Sequence, residues 1–377
     1  MTRYTRVHLA PAGPFHFGGR GVGMEHSDVG LAADSLFSAL CVTIAEDAGP
    51  EALEALLRRF RRAEGAGPPF RLTSLMPYAG AVHLLPYPST GAPKTPAAAD
   101  MRRRKAFKDI AWVSEFVFRT LARGEPVPQD ALDSGMPVTL HGGKIWVTAA
   151  EKAALAAFQA RDPETNEQQE GVLWRTAIRP RVTVDRRSSA SAVYSTGATH
   201  FNRHGDEQAG LYTVIEWLDA DGPLRDAVKR DFELLGEAGI GGERSTGHGH
   251  FTPVFTDLDR WDITAPAGAY FATLSPYLPA AGEAAALQPG SRYEIVLRRG
   301  WLSMPGYSNL RRGAARMLAD GSVLCWPDPA RPDAVLGELA DVTPQRLSGE
   351  TGRRVYRYGL AFPVRVADAA MAQGGAA

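Results

Sequence analysis

Residues 239–251, GIGGERSTGHGHF, restrict the fold more than any other part of the chain. The run follows GPLRDAVKRDFELLGE (222–237), where Leu224, Val228, Phe232 and Leu235 fall on one side of a helix. It leads into HFTPVF, which reads as a strand. A dinucleotide-binding glycine loop follows a strand and opens a helix, the reverse of this order, and here the third glycine is also misplaced. A triphosphate-binding loop half matches at Gly242 to Gly247. His248 and Gly249 then stand where a lysine and a magnesium-binding hydroxyl belong. What remains is a glycine loop whose backbone reaches angles closed to other residues and whose N–H groups can converge on an anion. Gly239, Gly241, Gly242 and Gly247 supply the freedom, Arg244 the charge, and Ser245 and Thr246 the hydroxyls. This chemistry suits a sugar–phosphate backbone. A plain turn from helix to strand is the competing reading.

Forty-two Lys and Arg balance forty-two Asp and Glu, so any basic groove must come from local distribution. Two cysteines, Cys41 and Cys325, lie far apart, which argues against a disulfide framework and a cysteine zinc site. No run approaches the ~20 apolar residues of a membrane span. The expected setting is reduced and cytoplasmic, with no membrane contact, no metal and no cofactor.

Val7 and Leu9 alternate with Arg6 and His8, as in an opening strand. A helix follows from about Asp34, which can cap it, with Leu36, Leu40, Ile44 and Ala48 on one face and Gly49-Pro50 as its stop. A second helix, roughly 51–62, gathers Leu53, Leu56, Leu57 and Phe60. Strand-like pieces lie between it and the 222–237 helix. Without an insertion at about 100–210, residues 1–258 give the β-α-β-β-α-β order of a ferredoxin-like unit. A smaller strand-rich part covers 265–368, its strongest strands being SRYEIVLRRGWL and RVYRYGLAFPVRV. The tail 369–377 is expected to be disordered. The fold class is therefore α+β.

Two further segments favour phosphate. RRRKAFK carries Arg102, Arg103, Arg104, Lys105 and Lys108, with Phe107 and Trp112 close by as candidate stacking rings. Its plain alternative is a solvated, mobile loop. WRTAIRPRVTVDRR carries Arg181, Arg186 and Arg187, with Arg181 and Thr183 on one strand face, Val182 and Val184 on the other, and Asp185 placed to orient an arginine. Catalytic options are thin. His16 and His26 could serve an RNA-cleaving centre, although a lone loop histidine is more often just hydrogen-bonded. His248 and His250 lack a neighbouring carboxylate and make a weak metal case.

The glycine loop after a helix resembles that of the RAMP proteins of CRISPR systems. LAADSLFSAL, RPRVTVDR, LRRGWL, LADGSVL and RVYRYGLAFPVRV resemble, in the same order, segments of the fourth Csm subunit of type III-A effector complexes. The resemblance runs from about Thr5 to Val366. It departs at Ala32-Ala33, where the family has His-Ser before the aspartate; an HSD does occur upstream at His26–Asp28. The resemblance implies two RAMP modules and a hairpin in the insertion able to wedge between bases. It also implies a non-catalytic subunit that binds the crRNA 5′ handle, with Ser35 among the helix-start residues near RNA. The implied partners are crRNA, a large palm-containing subunit, an adjacent RAMP backbone subunit and, indirectly, target RNA. A RAMP endoribonuclease using His16 or His26 is the rival class.

Overall fold

Val7 and Leu9 are fully buried on one face of the opening strand, Tyr4–Pro11, while His8 on the other face packs against Tyr78 and His83. A strand covered on both sides belongs at the centre of a sheet. The computed structural model describes residues 3–18, 25–61, 67–91, 101–161, 166–185, 187, 190–302, 306–307, 309–328, 330–331 and 334–372, the first four residues of 101–161 by backbone alone. In it, Tyr4–Pro11 pairs antiparallel with Glu207–Trp217 on one side and Phe251–Leu258 on the other. Both Phe70–Leu72 and Met76–Ala79 pair with the far side of Glu207–Trp217. The spatial order of these four positions is thus fourth, first, third, second. Helices α1 (Ala33–Asp47) and α2 (Pro50–Phe60) come between the first and second. The sheet continues through Val82–Pro86, Trp112–Ser114, Ile145–Trp146 and Thr139–Leu140. Much of the insertion therefore extends the main sheet instead of hanging from it. It also includes α3 (Met101–Lys108), α4 (Glu115–Arg123) and α5 (Ala149–Leu155). Helix α6 (Gly222–Ala238) connects the third and fourth strand positions.

Alternation along Glu207–Trp217 sorts two cores. Leu211 and Ile215 join α1, α2 and α6 through Leu36, Leu40, Phe60 and Phe232. Tyr212 and Val214 face a second core with Trp146, Phe118, Val323, Phe362 and Val366. The C-terminal part closes this second face with a three-stranded sheet, Val323–Cys325, Tyr270–Thr273 and Pro363–Val366. Tyr358 reaches through to the first core, 4.9 Å from Phe37, and its hydroxyl accepts from the Leu72 N–H at 3.0 Å. The two parts thus share packed cores. On the second face Arg6 donates to Glu115 at 2.5 Å, and Trp261 donates to the same carboxylate at 2.9 Å. Burial, then the Arg6 charge, lowers His83 to about 3 and His8 to about 4; their Nε2 atoms lie 2.7 Å apart as a neutral pair.

Several expectations need correction. Asp34 does not cap α1. The cap position is Ala32, without a side-chain bond, and the Ala33 N–H donates to Ser74 Oγ at 3.0 Å. Asp34 is instead fully buried and takes Arg298 and Arg357 from the C-terminal part. The basic segment at 101–108 is a helix, not a mobile loop. Phe107 anchors it by packing edge-on to Trp146 at 5.2 Å, which removes that ring from any stacking role. The strong C-terminal strands are short: SRYEIVLRRGWL keeps Ile295–Arg298, and RVYRYGLAFPVRV gives Tyr356–Arg357 and Pro363–Val366, with Gly359 packed closely against the Glu338 carbonyl and Leu278 between them. The first residues of the supposed tail, 369–372, belong to helix α8 (Asp368–Ala372), held by burial of Ala370 and Met371; α7 (Gln345–Thr351) precedes it. Residues 373–377 lie outside the described residues.

Candidate nucleic-acid interface

Asp221 caps α6 by accepting from the Leu224 N–H at 3.0 Å, and Gly239 ends the helix with φ 78°. Ile240, buried, then pins the glycine loop: its N–H donates to the Gly249 carbonyl at 2.9 Å. The Gly242 N–H donates to the His16 carbonyl at 2.9 Å, and the Gly249 N–H to that of Pro14 at 2.8 Å. Gly241, Gly247 and Gly249 have φ of 94°, 84° and 79°, and Glu243 itself sits at 59°. The backbone N–H groups of Glu243, Arg244 and Ser245 have no acceptor among the described residues. Arg244, Ser245, Thr246 and Gly247 are exposed.

The glycines are required for a different reason than ligand approach alone. A Cβ at Gly241 would stand 2.6 Å from the His16 carbonyl, and one at Gly242 2.7 Å from the His16 ring. The space beside them is filled by the chain's own residues 16–17.

The arginine-rich strand, Trp174–Val184, pairs along its full length with Ser191–Phe201 as a long hairpin. Arg181 Nη1 donates to Glu243 at 2.9 Å and Nη2 to Thr246 Oγ1 at 3.3 Å, so two of the three phosphate-friendly segments meet. Towards the hairpin tip Val182, Val184 and Val193 are all more than half exposed. Asp185 accepts from the Arg187 N–H at 2.7 Å and so fixes the turn backbone at that arginine. Arg187 is exposed, and Arg186 lies outside the described residues.

Helix α3 presents Lys105 and Lys108 to solvent; the side chains of Arg102, Arg103 and Arg104 lie outside the described residues. Trp112 is half-buried in its strand, packed against two cores and over Gly30. Ser35 is half-buried at the start of α1, its Oγ accepting from Arg298 at 3.1 Å. His16 is buried, with Nδ1 2.6 Å from the Gly197 carbonyl. His26 is exposed and pairs with Asp28 at 3.0 Å. Among the described residues no group of three or more His, Cys, Asp or Glu is placed to hold a metal ion. The sequence reading missed Arg298 and Arg312, which line α1 beside Ser35 and Ser38. Their signal was a repeated Arg-Arg-Gly, at 298–300 and 311–313.

Comparison with known proteins bears on this arrangement. Residues 267–366 match the family described as the CRISPR Csm4 C-terminal domain. A Csm4 protein of Mycobacterium tuberculosis is 26% identical over 314 residues, covering 83% of this chain and 85% of its own. One from Thermococcus onnurineus is 25% identical over 368 residues, 97% and 98% of the two chains. Along nearly its whole length the chain is similar to Csm4 proteins. Solved structures of low identity share its fold. A Csm1–Csm4 cassette in complex with cA4 matches with a TM-score of 0.55 at 20% identity, covering 97% of this chain and 98% of the other. A Csm3–Csm4 subcomplex of the type III-A interference complex matches at 0.63 and 15% identity, covering 96% and 99%. No helix among the described residues is long and apolar enough to cross a membrane.

Proposed function

We propose that this chain is a Csm4-family protein, the crRNA-binding subunit of a type III-A interference complex. It holds the repeat-derived 5′ handle and docks a large palm-containing subunit on one side and a RAMP backbone subunit on the other. The observation that carries this reading is the junction of the hairpin and the glycine loop, where Arg181 braces Glu243 and Thr246 beneath exposed Arg244 and Ser245. A rigid, basic, hydroxyl-bearing turn with unbonded N–H groups grips phosphates without reading bases. Relatives solved with Csm1 and with Csm3 support the two docking partners. We read the fourth-first-third-second strand order as one ferredoxin-like module and the C-terminal part as a second.

Neutralising Arg103, Arg104, Lys105 and Lys108 together tests the basic helix. Affinity for single-stranded repeat RNA should fall, and the slope of log K against log salt should flatten by about 0.7 for each phosphate no longer neutralised. An unchanged slope would place α3 away from RNA. Trp112→Ala should leave the slope alone, since that ring is packed into the fold.

The exposed His26–Asp28 pair gives the endoribonuclease reading one specific feature. Purified chain is expected to leave repeat RNA and single-stranded target RNA uncut, with or without magnesium. A discrete cut that vanishes in His26→Ala or His16→Ala would replace the scaffold reading.

A further inference from the structure

The C-terminal part holds a basic site of its own at the neck of the segment 298–313. Trp301 and Arg311 form an antiparallel bridge, the Arg312 N–H donates to the Gly300 carbonyl at 2.9 Å, and the Leu302 N–H to that of Leu310 at 3.0 Å. These bonds bring the two Arg-Arg-Gly triplets face to face. The inner arginines fasten the neck to α1. Arg298 takes Asp34 and Ser35, while Arg312 donates to Ser38 Oγ at 3.1 Å and to the Trp301 carbonyl at 2.9 Å. Arg357, buried below, donates to Asp34 and to the Arg299 carbonyl at 3.2 Å. The outer arginines, Arg299 and Arg311, are exposed. The Arg311 guanidinium lies 4.6 Å from the Trp301 ring centroid, and Trp301 is 52% exposed.

The charges do not balance. Asp34 serves two of these five arginines, and Arg299, Arg311 and Arg312 have no carboxylate ion pair among the described residues. Burial, then the neighbouring Arg357 charge, lowers the affinity of Arg312 for its proton, a cost that a bound anion would relieve. The neck is linked to the glycine loop indirectly, through the chain leading into α1. Gly242 bonds the His16 carbonyl, the Asp28 N–H bonds the Phe17 carbonyl at 2.8 Å, and α1 begins five residues later at Ala33.

We infer that this neck is a second RNA subsite, in which Arg299, Arg311 and Arg312 take phosphates of a single strand and Trp301 stacks on one base. An unmatched arginine cluster beside a half-exposed indole is the combination that single-stranded nucleic acid uses, phosphate grip plus aromatic platform. The rival occupant is a protein, favoured by the exposed Ile295 and Leu297 on the strand leading in.

The subsite rests on the RNA-binding reading above, and its test separates the two. Full-length chain is titrated with 5′-fluorescein single-stranded repeat RNA across a salt series, by anisotropy. Arg299→Ala with Arg311→Ala should flatten the salt slope by about 1.4, two phosphates at about 0.7 each. Trp301→Ala should weaken binding roughly 10-fold with little change in slope, and Trp301→Phe should recover most of it. Both outer arginines are exposed, so thermal midpoints should hold, and an unchanged midpoint shows that the weaker binding does not come from unfolding. If these variants bind like the parent while Arg244→Ala with Ser245→Ala does not, the subsite is wrong and the glycine-loop reading stands. If the parent itself binds no RNA, both fall. Variants that keep RNA affinity but lose a protein partner would make the neck a protein dock and overturn the proposal.

Discussion

Asp34→Ala is expected to destabilise the chain by about 3–5 kcal/mol, the cost of stranding buried charge after one partner of an ion pair is removed. Asp34 is fully buried, and Arg357, its partner, is only 2% exposed. Removing the carboxylate leaves Arg357 uncompensated and frees Arg298 from both of its bonds to Asp34. The substitution should also loosen the seam between α1 and the C-terminal part, because these bonds join residues more than 260 positions apart. Urea denaturation gives the number, and limited proteolysis shows whether the C-terminal part is released first. A loss below about 1 kcal/mol would mean that the guanidiniums find water or new partners, as exposed pairs do. Glu350→Ala, which removes an exposed ion pair on α7, is the matching control and should leave the midpoint in place.

Gly249→Ala is expected to abolish the glycine-loop geometry, while Gly247→Ala is expected to bend it little. Both positions have positive φ. At Gly249 a Cβ would fall on the Ile240 carbonyl oxygen, and within 3 Å of the Ile240 backbone nitrogen, so backbone must move. Strain and overlap together cost roughly 2–5 kcal/mol. At Gly247 a Cβ meets nothing within 4 Å, leaving only the left-handed penalty of about 1–2 kcal/mol. Repeat-RNA affinity should therefore collapse in the first variant and survive largely in the second, with circular dichroism unchanged in both. Equal binding by parent and Gly249→Ala would show that the loop's shape does not matter for RNA. Valine at Gly241 or Gly242 would be a poor probe of ligand approach, because its side chain would collide with His16 or Phe17 before it met a ligand.

Local sequence made the helices and the glycine loop legible. Apolar spacing located α1, α2 and α6 within a few residues of their observed bounds, since each buries a single face and its period records that face. The exposure of Arg244, Ser245 and Thr246 was legible too, because polar side chains between glycines in a turn face solvent. The α+β class and the order of the first unit followed from the same periodicity. Tertiary structure alone decided the rest. Phe107 looks the same in sequence whether it stacks on a base or closes a core, and only its neighbour Trp146 settles that it is packed. Asp34 at a helix start reads as a cap until two arginines from beyond residue 290 arrive beneath it. Met371 in an alanine-rich tail reads as disordered until a core offers it a place. The meeting of Arg181 with Glu243, and of Arg298 and Arg312 with α1, joins residues 62 to more than 260 positions apart. Spacing along a chain carries the period of one element. It carries no distance between elements, which is set by how their buried faces pack.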